Sequence, residues 1–351
     1  MADKPGTTKD PDDLSGDAFL PHSDKHGVSA ARADRQGLED HVMTPTTASA
    51  STQPRPASTG GPGADTAGSP GWGTRTGFDY VYDQPDPRGY FQAFGPFGYQ
   101  TPHHAQQVFR RLVATLTPSN AKWGITVLDI CCSYGINAAL LNHDLTLADL
   151  SARYTSPETT ALSVEALVNA DRVFYAARRH PTGPLARVVG LDPARNAIDY
   201  ARAVGLVDAG FAENLETTPA SAALLAAVRD VRLITVTGGA SFLSPRTFQP
   251  LLDNVQCPVW VAAFVLRTGS YQPIADALAG YGLVTEASTP TFPQRRFTTS
   301  AEQRYAIDAV IATGHDPSGK ETDGAYHTNL YLSRPSTDIA AMPLTTLLPD
   351  S

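Results

Sequence analysis

Four stretches of this 351-residue sequence place polar groups where a ligand could meet them. The first, Val127-Leu128-Asp129-Ile130-Cys131-Cys132-Ser133-Tyr134-Gly135-Ile136-Asn137-Ala138, runs from an apolar segment through a turn of mostly small residues into an apolar helix. Small side chains let backbone N–H groups approach a ligand, and such a turn after the first strand of an open α/β sheet opens a binding crevice. The second, over 188–202, closes an apolar run with Asp192 and turns at Pro193 into a helical segment. A carboxylate at a strand tip can accept two hydrogen bonds from the vicinal hydroxyls of a ribose; the alternative role is a helix N-cap. The third and fourth are Ala212-Glu213-Asn214-Leu215-Glu216 and the small-residue loop Thr237-Gly238-Gly239-Ala240-Ser241-Phe242. Tyr99, His103, His104 and His143 are the titratable candidates for a general base near this mouth, with His143 better suited to the core, and His315 and His327 flank a later loop.

Holding these groups together requires a sheet. Apolar runs at 126–131, 187–191, 210–213, 233–236, 259–265, 283–287 and 326–332 alternate with helical patterns, which predicts a parallel sheet covered on both faces. Helices are expected over 102–116, 219–228, 245–255 and 271–279, and a polar loop with Gly314, Pro317, Gly319 and Gly324 precedes the last strand. The stretch from Phe78 to Tyr99 holds eight aromatic residues between Pro and Gly breakers. It must bury against something, either as a flap over a ligand or as a clamp outside the sheet.

The loop around Asp129 and the segment around Asp192 resemble the class I S-adenosylmethionine-dependent methyltransferases. The family's first motif runs acid, apolar, Gly, x, Gly, x, Gly; here its glycine positions fall on Cys131, Ser133 and Gly135. The second match is Val188-Val189-Gly190-Leu191-Asp192-Pro193-Ala194-Arg195-Asn196-Ala197-Ile198-Asp199-Tyr200-Ala201-Arg202, followed by Gly205-Leu206-Val207-Asp208. The resemblance implies a Rossmann-like, seven-stranded, mostly parallel sheet of the class I methyltransferase type, with S-adenosylmethionine as cofactor. It implies that Asp129 faces the methionine half of that cofactor and Asp192 the ribose. Glu213 or Asn214 would meet the adenine edge, Thr237 and Gly238 the transferable methyl, and Cys131, Ser133, Gly135, Asn137 and Pro193 the rest of the crevice. A dinucleotide loop would want glycine at Ile136, so an NAD(P) oxidoreductase is the rival, and a non-catalytic binder of the sulfonium is a third reading.

Asp129 and Asp192 are 63 positions apart, against about 20 in a simple βαβ unit. A helical insert over 144–180 fills the difference and is expected to shape the acceptor pocket. A rival register would make 145–150 the second strand and Asp149 the ribose acid. The domain expected over 121–335 is preceded by the aromatic segment and leading helix (76–120) and an N-terminal extension, and a C-terminal tail covers 336–351. Over 1–75 the chain is rich in Ala, Asp, Gly, Pro, Ser and Thr, which predicts a disordered tail.

The remaining composition narrows the partners. The net charge of -8 argues against nucleic acid, and the Asn/Asp-Pro-Pro-Tyr/Phe tetrad used on nucleic-acid amines is missing, so a small-molecule acceptor is expected. No apolar run is long enough to span a bilayer, and no secretion signal opens the chain, so no membrane partner and a cytoplasmic location are expected. Three cysteines give neither a disulfide framework nor a metal spacing. A homodimer is left open, and the excess of arginine over lysine fits a bacterial, GC-rich coding bias.

Overall fold

Strands that are apolar at successive positions must bury both faces, and helices supply the cover. The computed structural model describes residues 81–121, 124–180 and 185–348; the expected tail over 1–75, with Phe78 and Tyr80, lies outside the described residues. Seven strands, β1 (Thr126–Ile130), β2 (Arg187–Leu191), β3 (Ala209–Phe211), β4 (Val231–Thr237), β5 (Trp260–Leu266), β6 (Leu283–Arg296) and β7 (Ala325–Pro335), form one sheet in the order β3-β2-β1-β4-β5-β7-β6. The first five run parallel, and β7 is antiparallel to both β5 and β6. This is the Rossmann-like, mostly parallel seven-stranded sheet that the resemblance implies. The order reverses between β1 and β4, which is where an open sheet parts at its carboxyl edge.

Helices follow in chain order: α1 (Arg88–Phe94), α2 (Thr101–Leu116), α3 (Ile136–Asn142), α4 (Leu147–Thr155), α5 (Pro157–Thr160), α6 (Val164–Ala176), α7 (Arg195–Ala203), α8 (Ala222–Ala227), α9 (Pro245–Leu252), α10 (Gln272–Ala279) and α11 (Ser300–Ala312). Alternate strand residues face opposite layers. Val127, Val188 and Leu233 pack in the same cluster as α2, α3 and α7, while Leu128, Val189 and Ile234 join α8, α9 and α10. Two short helices, α12 (Ser336–Ala341) and α13 (Leu344–Leu347), close the described chain, and α13 buries Leu344 and Leu347.

Several elements differ from the sequence expectation, and one rival register is set aside. β6 was expected to end at Ala287 but continues to Arg296 through Pro290 and Pro293; it is an edge strand, where a missing N–H costs no ladder bond, and its register shifts twice against β7. Residues 300–312, not expected as an element, form α11, started by Thr299 accepting from the Glu302 amide. The rival second strand is helix: Thr146 and Asp149 make a reciprocal capping box at the start of α4. Asp149 is thus an exposed cap residue away from any strand tip.

The insert docks through a buried polar cluster. Asp171 on α6 accepts from the hydroxyls of Tyr154 and Tyr200 and from Arg153, tying α4 and α6 to α7.

Candidate functional site

A cavity of about 620 Å³ opens at the carboxyl ends of β1, β2 and β4, within the range usual for small-molecule sites. Its floor is the turn after β1. Cys131, Ser133 and Gly135 all take left-handed backbone, with φ of 58, 48 and 78°. The turn therefore keeps glycine conformation at all three motif positions although only one residue is glycine. For Cys131 and Ser133 that conformation costs on the order of 1–2 kcal/mol each. Backbone bonds hold it: the Cys131 amide donates to Leu191 O (2.8 Å) and the Gly135 amide to Cys132 O (2.9 Å).

Neighbouring glycines make the room that the motif glycines would have given. A Cβ at Gly239 would collide with the side chain of Cys131, and one at Gly190 on β2 would lie 2.8 Å from Cys132 Sγ. Gly238, at φ 72°, lies directly under the Tyr99 hydroxyl.

Asp192 sits where β2 gives way to α7. Its Oδ2 accepts from the Ser133 amide and its Oδ1 from the Ala194 amide, both at 2.9 Å. Each oxygen retains acceptor capacity, and the carboxylate lines the cavity while being only 8% exposed. Burial raises its pKa, and the two amides oppose that rise. Beside it Ser133, which lines the cavity, has a buried Oγ with no hydrogen-bond partner among the described residues.

Asp129 behaves differently from the expectation. It is 1% exposed and lies outside the cavity lining. Asn137 Nδ2 donates to Asp129 Oδ1 (3.0 Å) and to Thr237 Oγ1 (2.8 Å), and Thr235 Oγ1 donates to the same Asp129 oxygen (2.7 Å). Asp129 thus fastens β1 to β4 beneath the floor, and burial pushes its pKa up to about 7 against the lowering effect of these two donors.

The structure brings Cys131, Ser133, Asn137, Asp192, Pro193, Glu213, Asn214, Thr237 and Gly238 to the cavity wall. Gly135 stays behind them as the cap of α3, a Cβ there meeting Leu206 and Ala201 at 3.1 and 3.2 Å. Glu213 accepts from the Ser221 hydroxyl and amide. Glu216, which also lines the wall, accepts from Ser244 and Thr247.

Of the expected bases only Tyr99 lines the cavity. His103 is exposed and His104 packs against Phe292, its pKa lowered to about 4 by burial; both leave the wall because α2 turns only Pro102 inward at that end. His143 caps α3 with its ring on Ala139 O, and His327 bonds Thr291. Burial pushes the Tyr99 phenol up to about 12 and the Cys131 thiol upward.

The aromatic segment borders the cavity. Tyr82, Tyr90, Phe94 and Tyr99 line it, while Tyr90, Phe91 and Phe94 also pack into the core cluster with α2, α3 and α7. The segment is stitched to both ligand loops. The Tyr134 hydroxyl accepts from the Gln84 amide and donates to Val81 O, while Asp83 Oδ1 accepts from the Asn196 amide in the first turn of α7. The insert reaches the cavity only indirectly, correcting the expectation that it shapes the pocket. Tyr154 stacks on Phe91 at 5.1 Å, and Arg88 donates to the carbonyls of Thr159, Thr160 and Leu162.

Sequence reasoning missed Gln294, Arg295 and Tyr326, which line the wall from β6 and β7. Their signal is topological, since only the long β6–β7 pairing carries them there. The segment Thr299-Ser300-Ala301-Glu302 is a helix-start pattern that would have revealed α11 and with it the partner of Arg295.

No family model and no curated protein match the sequence. Solved structures similar to the chain include a magnesium protoporphyrin IX methyltransferase from Synechocystis PCC 6803 with bound SAM, at 12% identity, covering 66% of this chain and 80% of that one with a TM-score of 0.32. A SAM-dependent methyltransferase from Aquifex aeolicus gives 10% identity, 70% and 98% coverage and a TM-score of 0.35. The plantazolicin methyltransferase in complex with SAH gives 11%, 67% and 86%, and 0.34. At such identities and scores a likeness says nothing of chemistry, and function rests on the cavity's own residues. Among the described residues no helix is long and apolar enough to cross a membrane, and no cluster of metal-ligating side chains occurs.

Proposed function

We propose that the chain is an S-adenosylmethionine-dependent methyltransferase acting on a small-molecule acceptor. The observation that carries this reading is Asp192, a buried carboxylate at the tip of β2 that lines the cavity beside a turn of three left-handed residues. The residues fit the cofactor. Asp192 would accept from the ribose diol, Ser133 Oγ would gain the partner it lacks, and Glu213 and Asn214 would border the adenine. When bound, the cofactor supplies an electrophilic methyl on a sulfonium. The chain's part is to align the two reactants and keep the cavity dry, and the phenols of Tyr82, Tyr90 and Tyr99 close over it for that purpose.

Calorimetry with S-adenosylhomocysteine tests this. Removing two charge-assisted hydrogen bonds of about 1.5–3 kcal/mol each should weaken binding at least 100-fold in Asp192→Ala and, with the side-chain size kept, in Asp192→Asn. Asp149→Ala should bind like the parent. Equal affinity in parent and Asp192→Asn, or preference for NADH over S-adenosylhomocysteine, refutes the proposal.

A further inference from the structure

The cavity has two flanks, set by the sheet order. Asp192 stands on the β2 side of the switch point, whereas β6 and β7 bring Arg295 and Tyr326 to the other side. Arg295 is the only Arg, Lys or His among the described lining residues. Its guanidinium donates to Glu302 Oε1 at 2.6 Å and lies over the Tyr326 ring, 4.9 Å from the centroid. Glu302 is fully buried and is held in turn by the Thr298 amide and hydroxyl. A buried ion pair is a costly way to fill space, and an apolar pair of similar volume serves structure as well or better. Here Arg295 lines the ligand cavity with Glu302 buried behind it, and the arginine charge acts on the phenols of Tyr82 and Tyr99.

Among the described lining residues that β5, β6 and β7 contribute, none is a histidine or a carboxylate. No histidine lines the described wall, and the carboxylates of Glu213 and Glu216 are engaged by hydroxyls on other segments. Burial holds the Tyr99 phenol and the Cys131 thiol protonated well above neutral pH. An acceptor that needed deprotonation would find no base here, whereas an acceptor already ionised would find a cation and aromatic faces.

Resting on the methyltransferase reading, we propose that the acceptor is an aromatic acid that arrives as its oxygen anion, a carboxylate or an acidic phenol, with Arg295 as the residue that selects it. The anion's oxygen lone pair forms the new O–CH3 bond while the S–CH3 bonding pair stays on sulfur. The products are a methyl ester or ether and a neutral thioether. One negative and one positive charge cancel and no proton moves, a reaction that a dry cavity favours.

The test is calorimetry on protein saturated with S-adenosylhomocysteine, titrated with trans-cinnamate and 4-nitrophenolate and with their neutral counterparts cinnamamide and 4-nitroanisole. At least one anion should bind tenfold or more tightly than its neutral partner, and which one does separates carboxylate from phenol. Arg295→Gln/Glu302→Gln, which keeps a neutral hydrogen-bonded pair and avoids a lone buried charge, should erase the preference. Glu302→Gln alone, which leaves the arginine charge uncompensated, should tighten anion binding several-fold, a change that a merely structural arginine would not produce. The inference is overturned if the parent shows no anion preference, or if the preference survives in the double variant. Failure to bind S-adenosylhomocysteine in the first place would instead overturn the methyltransferase reading, so the two failures are distinguishable.

Discussion

Gly239→Ala should destabilise the protein or stabilise it depending on one neighbouring sulfur. Gly239 has φ -97° and ψ -5°, a conformation open to alanine, so the substitution alone should gain about 0.4–1 kcal/mol by restricting the unfolded chain. The added methyl, however, would fall 2.5 Å from Cys131 Cβ and against its sulfur. Overpacking of that kind costs about 1–3 kcal/mol, which outweighs the gain. In the parent the net loss should be about 1–2 kcal/mol, a drop of about 2–8 °C in Tm. In a Cys131→Gly background the clash is gone, and the same alanine should raise Tm instead. Cys131→Gly itself should be close to neutral: it removes about 1–2 kcal/mol of left-handed strain but adds chain entropy worth about 0.5–1 kcal/mol. The assay is a double-mutant cycle by urea unfolding with matched thermal scans. A coupling energy below about 0.5 kcal/mol, or an alanine that lowers Tm equally in both backgrounds, would refute the account of the turn.

Two more measurements probe the supports. The folded pKa of Asp129, near 7, lies above the ordinary value of 3.8, so the native state binds the extra proton between about pH 4 and 7, and this group's contribution to stability falls as pH rises through that window. The stability of the parent relative to Asp129→Asn, measured by urea unfolding from pH 4.5 to 7.5, should therefore decline with pH; a constant difference would show that the carboxyl is ionised throughout. Asp171→Asn should cost about 3 kcal/mol, because it breaks a buried ion pair with Arg153 while two tyrosine hydroxyls still need acceptors. Since the insert does not line the cavity, affinity for S-adenosylhomocysteine in that variant should stay within twofold, and a larger change would put the insert inside the site.

The strands and the placing of Asp192 at a strand tip were legible because their information is local. An apolar run ending in Asp192, a turn, and a helix with apolar residues at Ala197, Ile198 and Ala201 spell one βα unit within fifteen residues. What stayed hidden depends on partners far along the chain. Pro290 and Pro293 looked like the end of a strand, and only the edge position of β6 lets that strand continue to Arg295. His103 and His104 looked like bases because they lie in the first turn of an amphipathic helix near the mouth, yet the rotation of α2 sends Pro102 inward and leaves them outside. Asp129 lies at a strand end, as a ligand-facing acid would, but Asn137 and Thr235 take its oxygens.

The turn after β1 shows why a motif read one residue at a time can understate a match. What a ligand needs from three glycines is a left-handed backbone and space beside it. Here the backbone is left-handed at Cys131, Ser133 and Gly135, and the space is supplied across the sheet, by Gly239 for Cys131 and by Gly190 for Cys132. The substitutions exchange glycine's freedom for strain that the bonds to Leu191, Cys132 and Asp192 must hold. The same Asp192 that would accept the ribose diol therefore also fixes the Ser133 amide beneath it. Losing that carboxylate should loosen the floor and weaken the grip together, which is why Asp192→Asn, smaller in disturbance than alanine, is the sharper probe of ligand binding.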